Sequence, residues 1–313
     1  MGVNANLSKY TQSEGLVHKL TPIDFGGRPG RNIQKSYELL TDGYELKKPN
    51  GSEKVSYLWG NMSEPGVLVD HYSLNHVIAL RYLAYGTSIE LIQKNKKEEA
   101  IKVLDQAFAK MPIENNQVPI AFDSRRSEAV IGLCANYYLA GASDKGDKIA
   151  KILADRFISE INFYLNQDNE FFEQFAAEWA DCMSKLESLR QQTLGEALRE
   201  SRNTYNKALT ELDAELKSKY NQLQQMQGVN GNNMQEKVME LQNEMEQKQK
   251  AAEKIYVDTV INLEGPIDKS TYLDILNRSK AKYQFVNMNP VLKDLLKVEN
   301  GFPQEFLLYW GAN

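Results

Sequence analysis

Only two cysteines and three histidines occur in the 313 residues. Cys134 and Cys182 are too few to build a disulfide framework, and they leave the redox compartment open. His71 and His76 are five apart, which does not stack them on one helical face. No Cys or acidic cluster completes a shell of metal-ligand spacing around either of them or around His18, so no metal and no cofactor is expected. Apolar runs are short as well. None approaches the roughly 20 residues that span a bilayer, and the opening MGVNANLSKY lacks the apolar stretch of a signal peptide, so the chain as it stands reads as neither inserted nor self-exporting. Met1-Gly2 is compatible both with a natural beginning and with a start placed ahead of an excised domain. A basic excess is also missing: 37 Lys and Arg stand against 42 Asp and Glu, and the two signs are interleaved, which argues against nucleic acid as a partner. What is present is a hydrophobic share of 42%, enough at this length for one large or two smaller domains with a substantial core.

Four regions follow from the texture of the chain. Residues 1–66 are rich in Gly, Pro and Asn, with GGRPGR at Gly26 to Arg31 and KKPNGSEK at Lys47 to Lys54, and are expected to form an irregular collar with one helix around Asn32 to Tyr44. Residues 67–168 turn helical. Ser73 can cap a first long helix, whose apolar faces come from residues such as Leu74, Val77, Leu80 and Leu83 and which runs to about Gln93. The stretch NKKEEAIKVLDQAFAKMP then places Ala100, Leu104 and Ala107 at spacings of four and three before Pro112 stops the helix. On a 34-residue helix-turn-helix template starting at Arg81, Ser88 takes the small-residue slot and Pro112 the closing position. Asn95 takes the turn, a residue that tolerates left-handed backbone. This resembles a tetratricopeptide repeat. A second unit begins near Ser127, with Leu133, Cys134, Tyr137 and Gly141 on the same template and Gly146 where Ala is expected. Two ordinary helical hairpins are the plainer alternative, and two repeats need neighbouring helices to cap them.

Residues 169–262 read as a long polar helix and a coiled-coil hairpin. Tyr205, Leu209, Leu212, Leu216, Tyr220, Leu223 and Met226 mark one seam, GVNGNN at Gly228 to Asn233 breaks it, and Met234, Val238, Leu241, Met245, Lys248, Ala252 and Ile255 mark another. If the arms fold back on each other, facing positions sum to about 461, pairing Leu223 with Val238, Tyr220 with Leu241, Leu216 with Met245 and Leu209 with Ala252. Lys248 should snorkel out of the seam. Gly195 is placed to bend the first arm, with Thr193 and Glu196 spaced as a capping box for its restart. Residues 263–313 are expected to hold a helix over about Lys269 to Lys282, another from Asn289-Pro290 to about Asn300, and an apolar tail, FPQEFLLYW, docked on the core. The fold class is therefore all-α: tetratricopeptide-like helical hairpins with a long antiparallel coiled-coil hairpin.

Catalytic constellations are not apparent. GGRPGR follows no apolar strand and precedes no Lys-Ser or Lys-Thr, so it reads as a loop with exposed arginines and not a phosphate cradle. Cys134 sits at a small-residue slot between helices and Cys182 on the long helix; both read as buried, inert thiols. Acid pairs such as Glu98-Glu99 are adjacent and point to different sides of a helix. Recognition remains. In the repeat template the first helix of each unit lines a concave groove, here Tyr82, Tyr85, Ile89, Glu128, Ile131 and Tyr138, where aromatic side chains suit capture of a protein or peptide. The alternative for these positions is that a collar helix or the apolar tail fills the groove as core. The leading expectation is a non-catalytic, protein-binding helical-repeat domain whose hairpin is a second arm for a partner or another copy. Two rivals stand beside it: a glycan-binding or glycan-active helical protein, the active form requiring a carboxylate pair in a cleft beside Trp59 or Trp179, and a self-associating structural spacer.

From about Leu7 to Trp179 the chain resembles the soluble carboxy-terminal region of a family of large multi-spanning membrane proteins of Bacteroidota, long classed as a domain of unknown function and taken to be protein O-mannosyltransferases. The residues that carry the resemblance are YTQSEGLVHKLTPI at Tyr10 to Ile23, LWGNM at Leu58 to Met62, VLVDHYSLN at Val67 to Asn75 and KKEEAIKVLDQAFAKMP at Lys96 to Pro112, in the family's order and spacing. The resemblance implies an inner-membrane protein with this part on the periplasmic side and the catalytic machinery elsewhere, in membrane regions that this chain lacks. No transferase role carries over to any residue here. The hairpin from about Gln191 to Asn262 is an elaboration on the family's short helical ending.

Overall fold

The computed structural model describes residues 7–26, 29–57, 59, 61–64, 66–67, 70–113, 124–225 and 231–312. It is mostly helical, with 74% helix, 7% strand and ten α-helices among the described residues. No described helix is long and apolar enough to cross a membrane. The chain forms two compact units, 1–153 and 154–313.

In the first unit the expected irregular collar instead contains strands. β1 (Thr11–Glu14) pairs antiparallel with β2 (Val17–Leu20) and, on its other edge, parallel with the short β3 (Gly30–Arg31). α1 (Ile33–Leu40) is capped by the Asn32 side chain, which accepts from the Lys35 N–H at 3.1 Å. β4 (Tyr44–Lys48) and β5 (Gly51–Val55) make a hairpin around Pro49-Asn50. β2, β4 and β5 leave no period-2 apolar pattern because almost all their side chains are exposed and many are polar or charged, while β1, buried at Thr11 and half-buried beyond it, is too short and polar to show one. Backbone pairing and turn chemistry hold them, not a buried face. Gly27 and Arg28, part of the GGRPGR loop, lie outside the described residues, as do Leu58 and Gly60 of LWGNM and Leu68 and Val69 of VLVDHYSLN.

Four long helices follow: α2 (His71–Gln93), α3 (Lys97–Lys110), α4 (Ser124–Ala140) and α5 (Ser143–Leu165), the last crossing into the second unit. The start of α2 lies two residues before the expected cap. Asp70 accepts from the Ser73 N–H at 3.1 Å and from its hydroxyl, because a carboxylate one turn earlier outcompetes the serine for the free amide. Asn95, with φ 58, turns the chain from α2 to α3. Leu91, Ala100, Val103, Leu104 and Ala107 are buried between the two helices, and α1 covers them through Leu40.

α4 packs on α2 by a close approach. A Cβ on Gly132 would stand 2.7 Å from the Tyr85 ring, and one on Gly146 of α5 the same distance from the Tyr138 ring. The glycine at 146 is thus no weakness of the helix; it makes room for a tyrosine. Beneath Tyr85, the buried Asn136 donates to Ser88 Oγ at 2.8 Å and to the Tyr85 carbonyl at 3.2 Å, while Ser88 donates to that same carbonyl at 3.0 Å. These bonds bridge α2 and α4 in a site without solvent. Asn136→Ala removes both bridges and leaves a small cavity. We expect it to lower the stability of residues 1–153 by about 2 kcal/mol, read as a shifted urea midpoint by circular dichroism. An unmoved midpoint would show the network to be dispensable.

The second unit contains α6 (Asn169–Gln174), α7 (Ala176–Gln225), α8 (Gly231–Asn262), α9 (Lys269–Met288) and α10 (Gln304–Ala312). α7 is interrupted at Gly195, with φ 47 and ψ −111, a backbone that glycine adopts without strain. Thr193 does not cap the restart: its hydroxyl donates to the Arg190 carbonyl at 2.9 Å, and Glu196 pairs with Arg199. α7 and α8 lie side by side. Tyr205 stacks on Tyr256 at 4.6 Å, Lys219 reaches Glu244 at 2.8 Å, and Lys248 reaches Glu215 at 2.7 Å with its stem along the contact. Residues 226–230, which include Met226 and Gly228 to Asn230 of the expected break, lie outside the described residues.

α9 runs six residues past its expected end. The expected helix after it is replaced by two 3-10 turns at Lys293–Leu296 and Val298–Asn300. The extended backbone of Lys297 separates them, while Leu296 is drawn into the core. α10 closes the core with Phe306 and Trp310, joined by Phe302 just before it, and the Trp310 indole N–H donates to the Leu276 carbonyl at 2.9 Å.

Candidate functional site

The six groove positions distribute unevenly. Tyr82, on α2, is exposed at 36%. Glu128, on α4, is exposed as well. Tyr85 is half-buried because its ring lies over Gly132, and Ile131 is buried beside it. Ile89 is half-buried on the same helix as Glu90, which Arg31 of β3 pairs with at 2.9 Å. Tyr138 is turned inward: its hydroxyl donates to Asp147 at 2.6 Å and its ring fills the notch at Gly146. Tyr85 thus belongs to the α2–α4 contact and Tyr138 to the α4–α5 contact, while Ile131 is buried on α4. Tyr82 and Glu128 remain as accessible groups.

The remaining singled-out residues are structural. Cys134 is a free, buried thiol within 3.4 Å of the Gly146 carbonyl, and burial, with Asp147 nearby, pushes it up to about 12. Cys182 is equally buried and its thiol is also pushed up by desolvation. Neither has a thiolate at neutral pH. Trp179 is fully buried and so offers no face to a cleft. Trp59 packs edge-on to Tyr57 at 6.1 Å. Among the described residues no group of three or more His, Cys, Asp or Glu side chains is placed to hold a metal ion.

A second site, in residues 154–313, was not visible in the sequence. The stacked Tyr205–Tyr256 pair divides two open clefts. One, of about 540 Å³, lies along α7 and α8 between small residues such as Ala197, Ser201, Ala208 and Ala252, with Ile255 at its rim. The other, of about 390 Å³, is walled by Arg202, Asn206 and Leu209 of α7, by Val298 from the segment before α10 and by Gln304 and Glu305 at the start of α10. Arg202 Nη2 donates to Glu305 Oε1 at 2.5 Å, and the Tyr256 hydroxyl donates to the same oxygen at 3.3 Å. Hydrogen bonds to the Tyr256 and Glu305 side chains raise the guanidinium further, so the arginine stays charged. Tyr205 was legible only as a seam residue. Arg202 and Glu305 lie 103 positions apart, and no local spacing announces their meeting.

Behind this site lies a buried ionisable cluster. Glu187, wholly enclosed in α7, accepts from the Tyr272 hydroxyl at 2.5 Å and from Gln191 at 3.4 Å. Arg190 approaches it at 4.0 Å, donates to the Val260 carbonyl and lies over the Tyr272 ring, yet its Nη1 has no hydrogen-bond partner among the described residues. Desolvation outweighs the arginine and the hydrogen bonds and pushes the Glu187 carboxyl up to about 7.

Comparison with known protein families, curated proteins and solved structures yields no match.

Proposed function

We propose that the chain is a non-catalytic helical-repeat module that binds a protein or peptide. In this reading α2–α3 and α4–α5 are tetratricopeptide-like hairpins, and α7 with α8 is an antiparallel coiled-coil arm. Supporting the repeat reading are the turn at Asn95, with φ 58, the close contact of Tyr85 with Gly132, and the bond of Asn136 to Ser88 at the small-residue slot of the first unit. Supporting the arm are the Tyr205–Tyr256 stack, on the register expected for the seam, and the ion pairs that Lys219 and Lys248 make across it. The observation that carries the binding reading is the exposure of Tyr82 on a rigid helix whose neighbours are locked into the α2–α4 contact. An exposed aromatic on a preorganised face supplies contact area at little entropic cost.

The placement of the chain as the accessory region of a membrane glycosyltransferase-like protein, on the periplasmic side of an inner membrane, rests on the four motifs between Tyr10 and Pro112 and on nothing else.

The structure alters which substitutions are informative. Tyr138 serves internal packing, so replacing it perturbs the fold. Tyr82→Ala and Glu128→Ala act at the surface. We expect each to reduce recovery of the cognate partner in a pull-down several-fold, the double variant more, with unchanged circular dichroism. Unchanged recovery from the double variant would remove this face from the proposal.

A further inference from the structure

We propose that the 390 Å³ cleft bounded by Arg202, Tyr205, Asn206, Gln304 and Glu305 is a binding site for an uncharged, disaccharide-sized saccharide. It lies in the unit formed by residues 154–313 and is independent of the protein-binding face carried by Tyr82.

The ligand class follows by elimination from the walls. A cleft of this volume falls in the range of small-molecule sites. The charged residues that line it among the described residues, Arg202 and Glu305, are joined at 2.5 Å and cancel, so an ionic ligand would have to break an existing pair to gain one of its own. A wholly apolar ligand is excluded by the opposite cost. It would cover the exposed Asn206 and Gln304 amides and leave them unsatisfied. What remains is a neutral molecule that both donates and accepts. The amides of Asn206 and Gln304 each offer donors and an acceptor, a mixture that vicinal hydroxyls complement.

One wall also requires an apolar face on the ligand. Tyr205 is held by its stack on Tyr256, at 4.6 Å and 14°, and Val298, Leu209 and Leu308 continue that side. A pyranose has such a duality, with C–H groups on one face for the tyrosine and hydroxyls around its rim for the planar polar side chains. The site is preorganised, since Glu305 is fixed by two donors and Tyr256 is buried.

Saturation-transfer NMR on the full chain tests this with maltose, cellobiose and gentiobiose, and with adenosine as a flat, uncharged non-saccharide, each at about 10 mM, enough to populate a millimolar site. Transfer to at least one disaccharide is expected, weakened at least tenfold in Asn206→Ala and in Gln304→Ala. Both side chains are exposed, so the fold should hold, and circular dichroism checks that it does. Absence of transfer to all three disaccharides, transfer indifferent to both substitutions, or transfer to adenosine alone overturns the proposal. None of these outcomes bears on partner recovery by Tyr82 variants.

Discussion

Trp179→Ala should destabilise the unit formed by residues 154–313 by about 3–5 kcal/mol, the range for removing a large aromatic from a closed core. The residue is completely buried on α7 and stands at the centre of an aromatic cluster: Phe172 meets it edge-on at 5.5 Å and Phe302 at 6.0 Å, and Phe302 in turn contacts Phe306 and Trp310. The elements it ties together are the front of α7, the short α6 and the segment entering α10, so its loss leaves a cavity that no single helix can close by sliding. Trp179→Phe should cost much less. It refills most of the volume and removes an indole N–H that has no hydrogen-bond partner among the described residues. Native-state hydrogen exchange separates this from general damage. Amides of α9, whose Ile275 and Leu276 are buried in the same unit, should lose protection in the alanine variant while α2 and α3 keep theirs. Equal loss in all three helices, or none in α9, would refute the assignment of Trp179 to the second unit's core.

The fold was legible wherever burial imposed a helical period. α3 could be bounded almost to the residue because its apolar positions, its closing proline and the left-handed Asn95 all agree. The helical character of α7 and α8 was legible for the same reason, from apolar positions that repeat every three or four residues. The strands of the first unit were not. Most of their side chains are exposed or polar, so no apolar alternation marks them, and pairing such as Thr11 with Leu20 is a backbone property. The stretch after α9 misled by offering a cap and a proline in helical order, where the burial of Leu296 and the extended Lys297 decide for 3-10 turns instead. Site residues divide similarly. Template positions identified Tyr82 as accessible. They could not show that Tyr138 would be consumed by the notch at Gly146, because a missing Cβ marks a close approach without naming what approaches. The Arg202–Glu305 cleft needs the tail to return to α7, which is tertiary information.

Glu187→Gln should abolish a pH dependence that the wild-type chain carries near neutrality. In the folded state the Glu187 carboxyl is raised to about 7, against an ordinary value near 4.5, because its burial disfavours charge more than Arg190, Tyr272 and Gln191 favour it. The folded state therefore holds a proton that the unfolded chain releases in this window. That contribution to stability is fully present below about 4.5, declines as pH rises, and is exhausted once pH passes about 7. A displacement of this size corresponds to roughly 3 kcal/mol of linked stability. Asp268, held down to about 2 by Ser270 and Thr271, and Glu215, held down to about 2 by Lys248 and Lys219, act in the opposite sense. Their stabilisation is lost only as pH falls below the ordinary carboxylate range, so the interval from about 4.5 to 7 belongs to Glu187. Glutamine keeps the shape and the acceptor for the Tyr272 hydroxyl but cannot ionise. Its urea midpoint, followed at successive pH values, should match the wild type near pH 4.5, stay flat above it, and exceed the wild type at pH 8. Should the two proteins instead fall in parallel across that interval, Glu187 is ionised in the fold and its pairing with Arg190, not burial, governs the site.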